Sequence, residues 1–132
     1  EITDFFAEYA GYFAQVRSQE NRNILDKIDA YVKEHYMEKI SLRSLGEMFY
    51  INNVYLGQLY KKRYHIVFRD YLNQLRLEKA KELLEDTDTR IYRIAEETGF
   101  GKADYFINKF VQVYGITPNQ YRMKFKKSGR GN

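Results

Sequence analysis

Apolar side chains recur along this chain at three- and four-residue spacing, the mark of helices with one buried face, and no stretch shows the alternation of a convincing strand. Ser41 is placed to cap a helix whose Leu42, Leu45, Met48 and Phe49 share one face. After a break at Tyr50 to Asn53, a second helix from about Asn53 to Arg63 buries Leu56, Leu59 and Tyr60. Phe68, Tyr71, Leu72, Leu75, Ala80, Leu83 and Leu84 then mark a helix from Phe68 to Glu85, roughly 27 Å long. Thr89 is the expected cap of the next helix, with Ile91, Ile94 and Ala95 inward, and Gly99 supplies the turn after it. A helix from about Lys102 to Val113 buries Phe106 and Phe110, and Thr117 with Pro118 opens a short basic helix through Phe125. Upstream, Asn23 is expected to cap a helix holding Ile24, Leu25, Ile28, Val32 and Tyr36, which makes seven helices from Ile24 onward.

The pattern repeats. Leu42, Leu45 and Ile51 are matched 49 residues later by Ile91, Ile94 and Phe100. After one inserted residue, Tyr55, Leu56, Tyr60, Tyr64, Ile66 and Tyr71 are matched 50 residues later by Tyr105, Phe106, Phe110, Tyr114, Ile116 and Tyr121. Such self-similarity implies two copies of one supersecondary unit, and helix, short turn, helix is the helix-turn-helix pattern. The predicted fold is all-α: two helix-turn-helix, homeodomain-like subdomains joined by a long connecting helix and preceded by an N-terminal linker helix. The expected division is 1–22 for the linker helix and 23–132 for the remainder, with subdomains 23–67 and 87–127, a connecting helix 68–86 and a basic tail 128–132. In the linker, Ile2, Phe5, Tyr9, Tyr12 and Val16 follow heptad spacing, a short seam expected to support a homodimer through residues 2–16 or to carry a signal.

Charge adds a partner. The chain has 132 residues and a formal net charge of +4. Residues 1–59 hold 6 basic and 9 acidic residues, whereas residues 60–132 hold 16 and 9, so the two parts carry −3 and +7. Arg122, Lys124, Lys126, Lys127 and Arg130 follow one another without an acid. A concentration of this kind points to an anionic partner, most commonly nucleic acid. With 0 Cys and 2 His, thiolate zinc sites and disulfides are excluded, and no metal or other cofactor is expected. No Gly-rich phosphate loop or nucleophile and base spacing points to an enzyme. No stretch reaches the length of a membrane span or reads as a signal peptide, so membrane contact is not expected and a cytoplasmic location is. The chain opens on Glu1 rather than Met, and an upstream segment is expected.

The stretch from Ile24 to Arg122 resembles the DNA-binding domain of the AraC/XylS transcription regulators. The resemblance rests on "SLRSLGEMF", "NVYLGQLYKKRY", "YLNQLRLEKAKELLEDTDTRIYRIAEETGF" and "YFINKFVQVYGITPNQYR", in that order. It implies a seven-helix domain whose two helix-turn-helix units read adjacent major-groove segments of double-stranded DNA. "VYLGQLYKK" is most similar to members that follow a receiver domain in two-component response regulators, which implies such a domain upstream. An AraC-type regulator with a ligand-binding or membrane sensor upstream is the alternative, and a helical protein-interaction module is the alternative of a different class. The sequence departs from the family pattern at His65, where a Gly is usual, and at Tyr60, where Phe is common.

Sequence-reading side chains project from the exposed side of each second helix. In the first copy these are Asn53, Val54, Gly57, Gln58 and Lys61. Gln58 can pair bidentately with adenine, and Val54 can pack on a thymine methyl. Gly57 inside that helix either permits close approach to DNA or weakens the helix. In the second copy the set is Lys102, Ala103, Asp104, Ile107 and Asn108, with Asn108 the adenine reader and Asp104 an acceptor from cytosine. Phosphate contacts are expected from Lys61, Lys62, Arg63, Arg76, Lys109 and the tail, and from helix starts near Ser41, Thr89 and Thr117. The tyrosines, at helical spacing, are expected to be core or boundary residues rather than base-stacking platforms. RNA polymerase is a further partner expected of a regulator that activates.

Overall fold

The computed structural model describes the backbone of residues 2–129 and the side chains of residues 15–125. Among them are seven helices and no strand: α1 (Ile2–His35), α2 (Leu42–Phe49), α3 (Asn53–Tyr64), α4 (Phe68–Asp86), α5 (Ile91–Glu97), α6 (Ala103–Tyr114) and α7 (Pro118–Gly129). No helix among the described residues is long and apolar enough to cross a membrane.

The count of helices agrees with the periodicity, but the first differs from expectation. Asn23 is not a cap, because α1 passes through it without a break and joins the linker segment to the first helix of the domain in 34 residues, roughly 51 Å. Leu25, Ile28 and Val32 fasten its C-terminal half to the core, and a helix anchored in this way continues upstream without a new nucleus. The side chains of Ile2, Phe5, Tyr9 and Tyr12, and those from Lys126 onward, lie outside the described residues.

Local chemistry sets most helix ends. Ser41 caps α2 through a reciprocal pair: Ser41 Oγ accepts from the Ser44 N–H at 3.1 Å, and Ser44 Oγ accepts from the Ser41 N–H at 2.9 Å. Asn52, one residue before the expected start, caps α3 by accepting from the Tyr55 N–H at 3.0 Å. Thr117 and Gln120 form the same reciprocal pair at α7. Thr89 does not cap α5. Its hydroxyl pairs with that of Thr87, and the cap position falls to Arg90, which makes no side-chain cap bond.

The core is double, and α4 belongs to both halves. Phe68, Tyr71 and Leu72 in its first turns pack with Leu25, Ile28, Val32, Leu45, Leu56 and Tyr60. Leu77, Ala80 and Leu84 pack with Ile94, Ala95, Phe100, Phe106 and Phe110. Each unit is thus one entering helix, a helix-turn-helix and one closing helix, with α4 closing the first unit and opening the second. Leu56 and Tyr60 of α3 are fully buried, as are their counterparts Phe106 and Phe110 of α6. The repeat in the sequence is therefore chiefly a repeat of core positions, with Tyr55 and Tyr105 as its exposed pair.

The first core contains a buried carboxylate that periodicity alone did not single out. Asp29 accepts hydrogen bonds from the hydroxyls of Tyr60 at 3.3 Å, Tyr71 at 2.6 Å and Tyr64, and Lys33 Nζ lies 3.5 Å away. A buried carboxyl group is tolerated only when its oxygens find partners, and here three phenols and an ammonium supply them. Burial first and the Asp29 carboxylate second push the Tyr60 and Tyr71 hydroxyls far above the ordinary tyrosine range. Of the expected core or boundary roles, Tyr60 and Tyr71 take the core one and Tyr64 packs half-buried beside them.

Candidate nucleic-acid interface

Each helix-turn-helix turn is held by close backbone contact. A Cβ on Gly46 of α2 would lie 2.5 Å from Ile51 O, so only glycine lets the turn fold back onto α2. The turn begins at Tyr50, whose φ of 57° is left-handed. Its counterpart in the second unit is Gly99, with φ of 94°.

The turn sets which side of α3 faces outward. Asn53, Val54, Gln58, Lys61 and Lys62 are exposed on it, opposite Leu56 and Tyr60, and Val54 keeps 65% of its surface in solvent. Gly57 is half-buried on this helix, and an added Cβ there would sit 3.0 Å from Leu42 Cδ1 of α2. On α6, Asp104 and Asn108 are exposed, Ala103 and Ile107 half-buried, and Lys102 stands exposed as the residue before the first turn. Asp104 lies in the first turn of α6, where no side-chain cap bond exists and a carboxylate is favoured by the helix dipole. The geometry brings together four exposed side chains of the first reading set and three of the second, each set on the open side of its unit.

The phosphate candidates divide. Lys61 and Lys62 project into solvent from the last turns of α3. Lys109 is half-buried, with Nζ 5.7 Å above the Tyr105 ring and 3.5 Å from Gln112 Oε1. Arg63 is held by Asp26 at 2.7 Å. Arg76 is engaged within the domain. Its Nε donates to Tyr36 O at 2.8 Å and its Nη2 to Glu38 O at 3.0 Å, so the guanidinium ties the end of α1 to α4. Burial lowers its pKa from the ordinary arginine value without costing its charge. Gly99 of the second unit packs on the same spot, within 2.9 Å of Met37 and Arg76 at the place a Cβ would occupy. Arg122 of the basic run is likewise engaged, donating to Leu84 O at 3.2 Å and Leu83 O at 3.5 Å at the end of α4. Ser41 and Thr117 stand at helix starts with their hydroxyls used in capping, and Thr89 faces Thr87.

Two residues beside the interface, read from the sequence only as core or boundary positions, hold neighbouring helices in place. Tyr55 and Tyr105, equivalent in the two units, lie in the first turns of α3 and α6. The Tyr55 hydroxyl accepts from Asn21 of α1, and the Tyr105 hydroxyl accepts from Asn73 of α4 at 3.4 Å. The paired spacing of the tyrosines was legible in the repeat, but their asparagine partners lie in other helices.

An interface of two outward-facing second helices, each seated on a three-helix core and coupled through one rigid rod, defines a double helix-turn-helix DNA-binding domain. A family model described as a helix-turn-helix domain matches residues 45–124. The chain belongs to the AraC-type family of helix-turn-helix transcription regulators. It is 42% identical to the C-terminal domain of the two-component response regulator yesN from Fusobacterium nucleatum, with TM-score 0.72 over 76% of this chain and 98% of that one. The C-terminal domain of AraT, a response regulator from Geobacillus stearothermophilus, is 34% identical with TM-score 0.74, over 76% of this chain and 84% of that one. The HTH-type transcriptional regulator YijO of Escherichia coli is 33% identical over 102 residues, 77% of this chain and 36% of that protein. The chain spans about a third of the length of YijO and of the regulatory protein PocR of Salmonella typhimurium, a further relative.

Proposed function

We propose that this chain is the output domain of a response regulator, placing α3 and α6 in adjacent major-groove segments of one duplex. The observation that carries the reading is the equivalent exposure of Gln58 and Asn108 on second helices that α4 holds in one body. Its 19 residues span roughly 28 Å, a length that suits neighbouring grooves about 34 Å apart. In this reading Asn53, Val54, Gln58 and Lys61 address bases in one segment and Lys102, Asp104, Ile107 and Asn108 in the other, while Lys62 and Lys109 hold phosphates. Two structural relatives named as response-regulator domains support a receiver upstream of α1, with residues 2–16 joining the halves and available for pairing with a second copy. The proposal is non-catalytic, and RNA polymerase is its natural further partner.

Selection of binding sites from random duplexes, followed by anisotropy titration, tests the reading. Gln58→Ala is expected to weaken the selected site by about 1 to 3 kcal/mol and blur one base preference. Lys62→Ala is expected to weaken all duplexes alike. Full discrimination by the Gln58→Ala protein would remove Gln58 from the reading set.

A further inference from the structure

The flank of α3 that faces α1 carries a basic groove of which only the α3 side, Lys62 and Arg63, has been considered above. It has a volume of about 360 Å³, and Ser18, Asn21 and Arg22 of α1 form one wall while Leu59, Lys62 and Arg63 of α3 form the other. Leu59 is packed against the core and gives the groove a rigid floor. Arg63 is neutralised by Asp26. Arg22 and Lys62 are exposed, and neither has an ion-pair partner among the described residues. At the same edge Asn21 donates to the Tyr55 hydroxyl, which holds α1 alongside the first turn of the recognition helix.

Successive residues of a helix turn by about 100°, so Lys62 lies only about 40° around α3 from Gln58. The groove therefore opens directly beside the reading face. A DNA strand bordering a major groove occupied by α3 would run along this flank, where two unpaired cations and small polar groups face it. The second unit lacks the feature: the residue of α4 placed as Arg22 is on α1, by the correspondence of Asn73 to Asn21, is the uncharged Gln74.

We infer that α1 is part of the DNA interface, with Arg22 and Lys62 clamping one backbone phosphate beside the segment read by α3 and with Ser18 and Asn21 as polar neighbours of that phosphate. This rests on the DNA-reading role proposed above. It also gives the helix that runs upstream to residue 2 a direct hold on the duplex.

The test is anisotropy titration of the whole chain on a selected duplex across salt concentrations, for Arg22→Ala, Lys62→Ala, the exposed α1 control Lys27→Ala, and Gln58→Ala. Arg22→Ala and Lys62→Ala are each expected to lower the salt slope by about one unit and to weaken all sequences alike, by about threefold to tenfold. Lys27→Ala is expected to leave the slope unchanged. A methylphosphonate at one phosphate flanking the first half-site is expected to weaken the parent, to weaken Arg22→Ala less, and to leave the Arg22→Ala, Lys62→Ala double variant unaffected. If Arg22→Ala keeps the parent slope while Gln58→Ala loses discrimination, the clamp is overturned and the reading role stands. If the parent itself shows no salt-dependent duplex binding, both fall.

Discussion

His65 and Gly115 hold the same place in the two units, each ending a recognition helix in the left-handed region, at φ of 63° and 79°. A side chain with a Cβ pays about 1 to 2 kcal/mol there, of which the greater freedom of an unfolded glycine takes back about 0.5 to 1 kcal/mol. His65→Gly is therefore expected to stabilise the domain by about 0.5 to 1 kcal/mol in urea unfolding. A loss of stability would mean that the imidazole makes a compensating contact. The tyrosines carry a second residue-level consequence. The Tyr121 hydroxyl is pushed up to about 12, first by burial and then by its hydrogen bond to Glu85 at 2.7 Å. A phenol with a raised folded pKa favours the fold while it is neutral. Its contribution is complete below the unfolded value of about 10 and is lost as pH climbs through 12. Alkaline titration followed by phenolate absorbance should show a late phase from Tyr121 near pH 12, with helix content falling over that phase.

At the scale of the element, α1 separates two readings of Asn23 by sign. A capping asparagine replaced by alanine costs about 1 kcal/mol, whereas an exposed asparagine inside a helix gains about 0.5 kcal/mol on the same change. Because α1 runs unbroken from Ile2 to His35, Asn23→Ala is expected to raise stability and helical circular dichroism slightly. A drop of 1 kcal/mol would restore the cap and break the continuity between the upstream segment and the domain. Gly46 shows why pattern reading stopped short here. A glycine within a helix reads as a weakness, and only the approach of Ile51 O reveals that this one makes room for a neighbour.

At the scale of the molecule, the joint between the two units is small and specific. Arg76 spans from α4 to the carbonyls of Tyr36 and Glu38, and Gly99 packs on Met37 beside it. Arg76→Ala removes two charge-assisted bonds, a loss of about 2 kcal/mol, and frees the units to change their relative angle. The expected result is separation of a single urea transition into two, with affinity falling more for a duplex bearing both half-sites than for one bearing either. A change equal on both duplexes would place Arg76 at the phosphates after all.

Helix number, the repeat and the outward phase of Gln58 and Asn108 were legible from residue order, because burial of one helix face imposes a period that composition cannot hide. So was the basic bias, since charge needs no partner to be counted. The destinations of the polar atoms were decided only by the folded chain. Asp29 meets three phenols drawn from two other helices, Arg76 finds carbonyls about 40 residues away, and Asn21 finds Tyr55. A hydrogen bond is satisfied by whichever group arrives within reach, and for residues so distant along the chain that arrival is settled by packing.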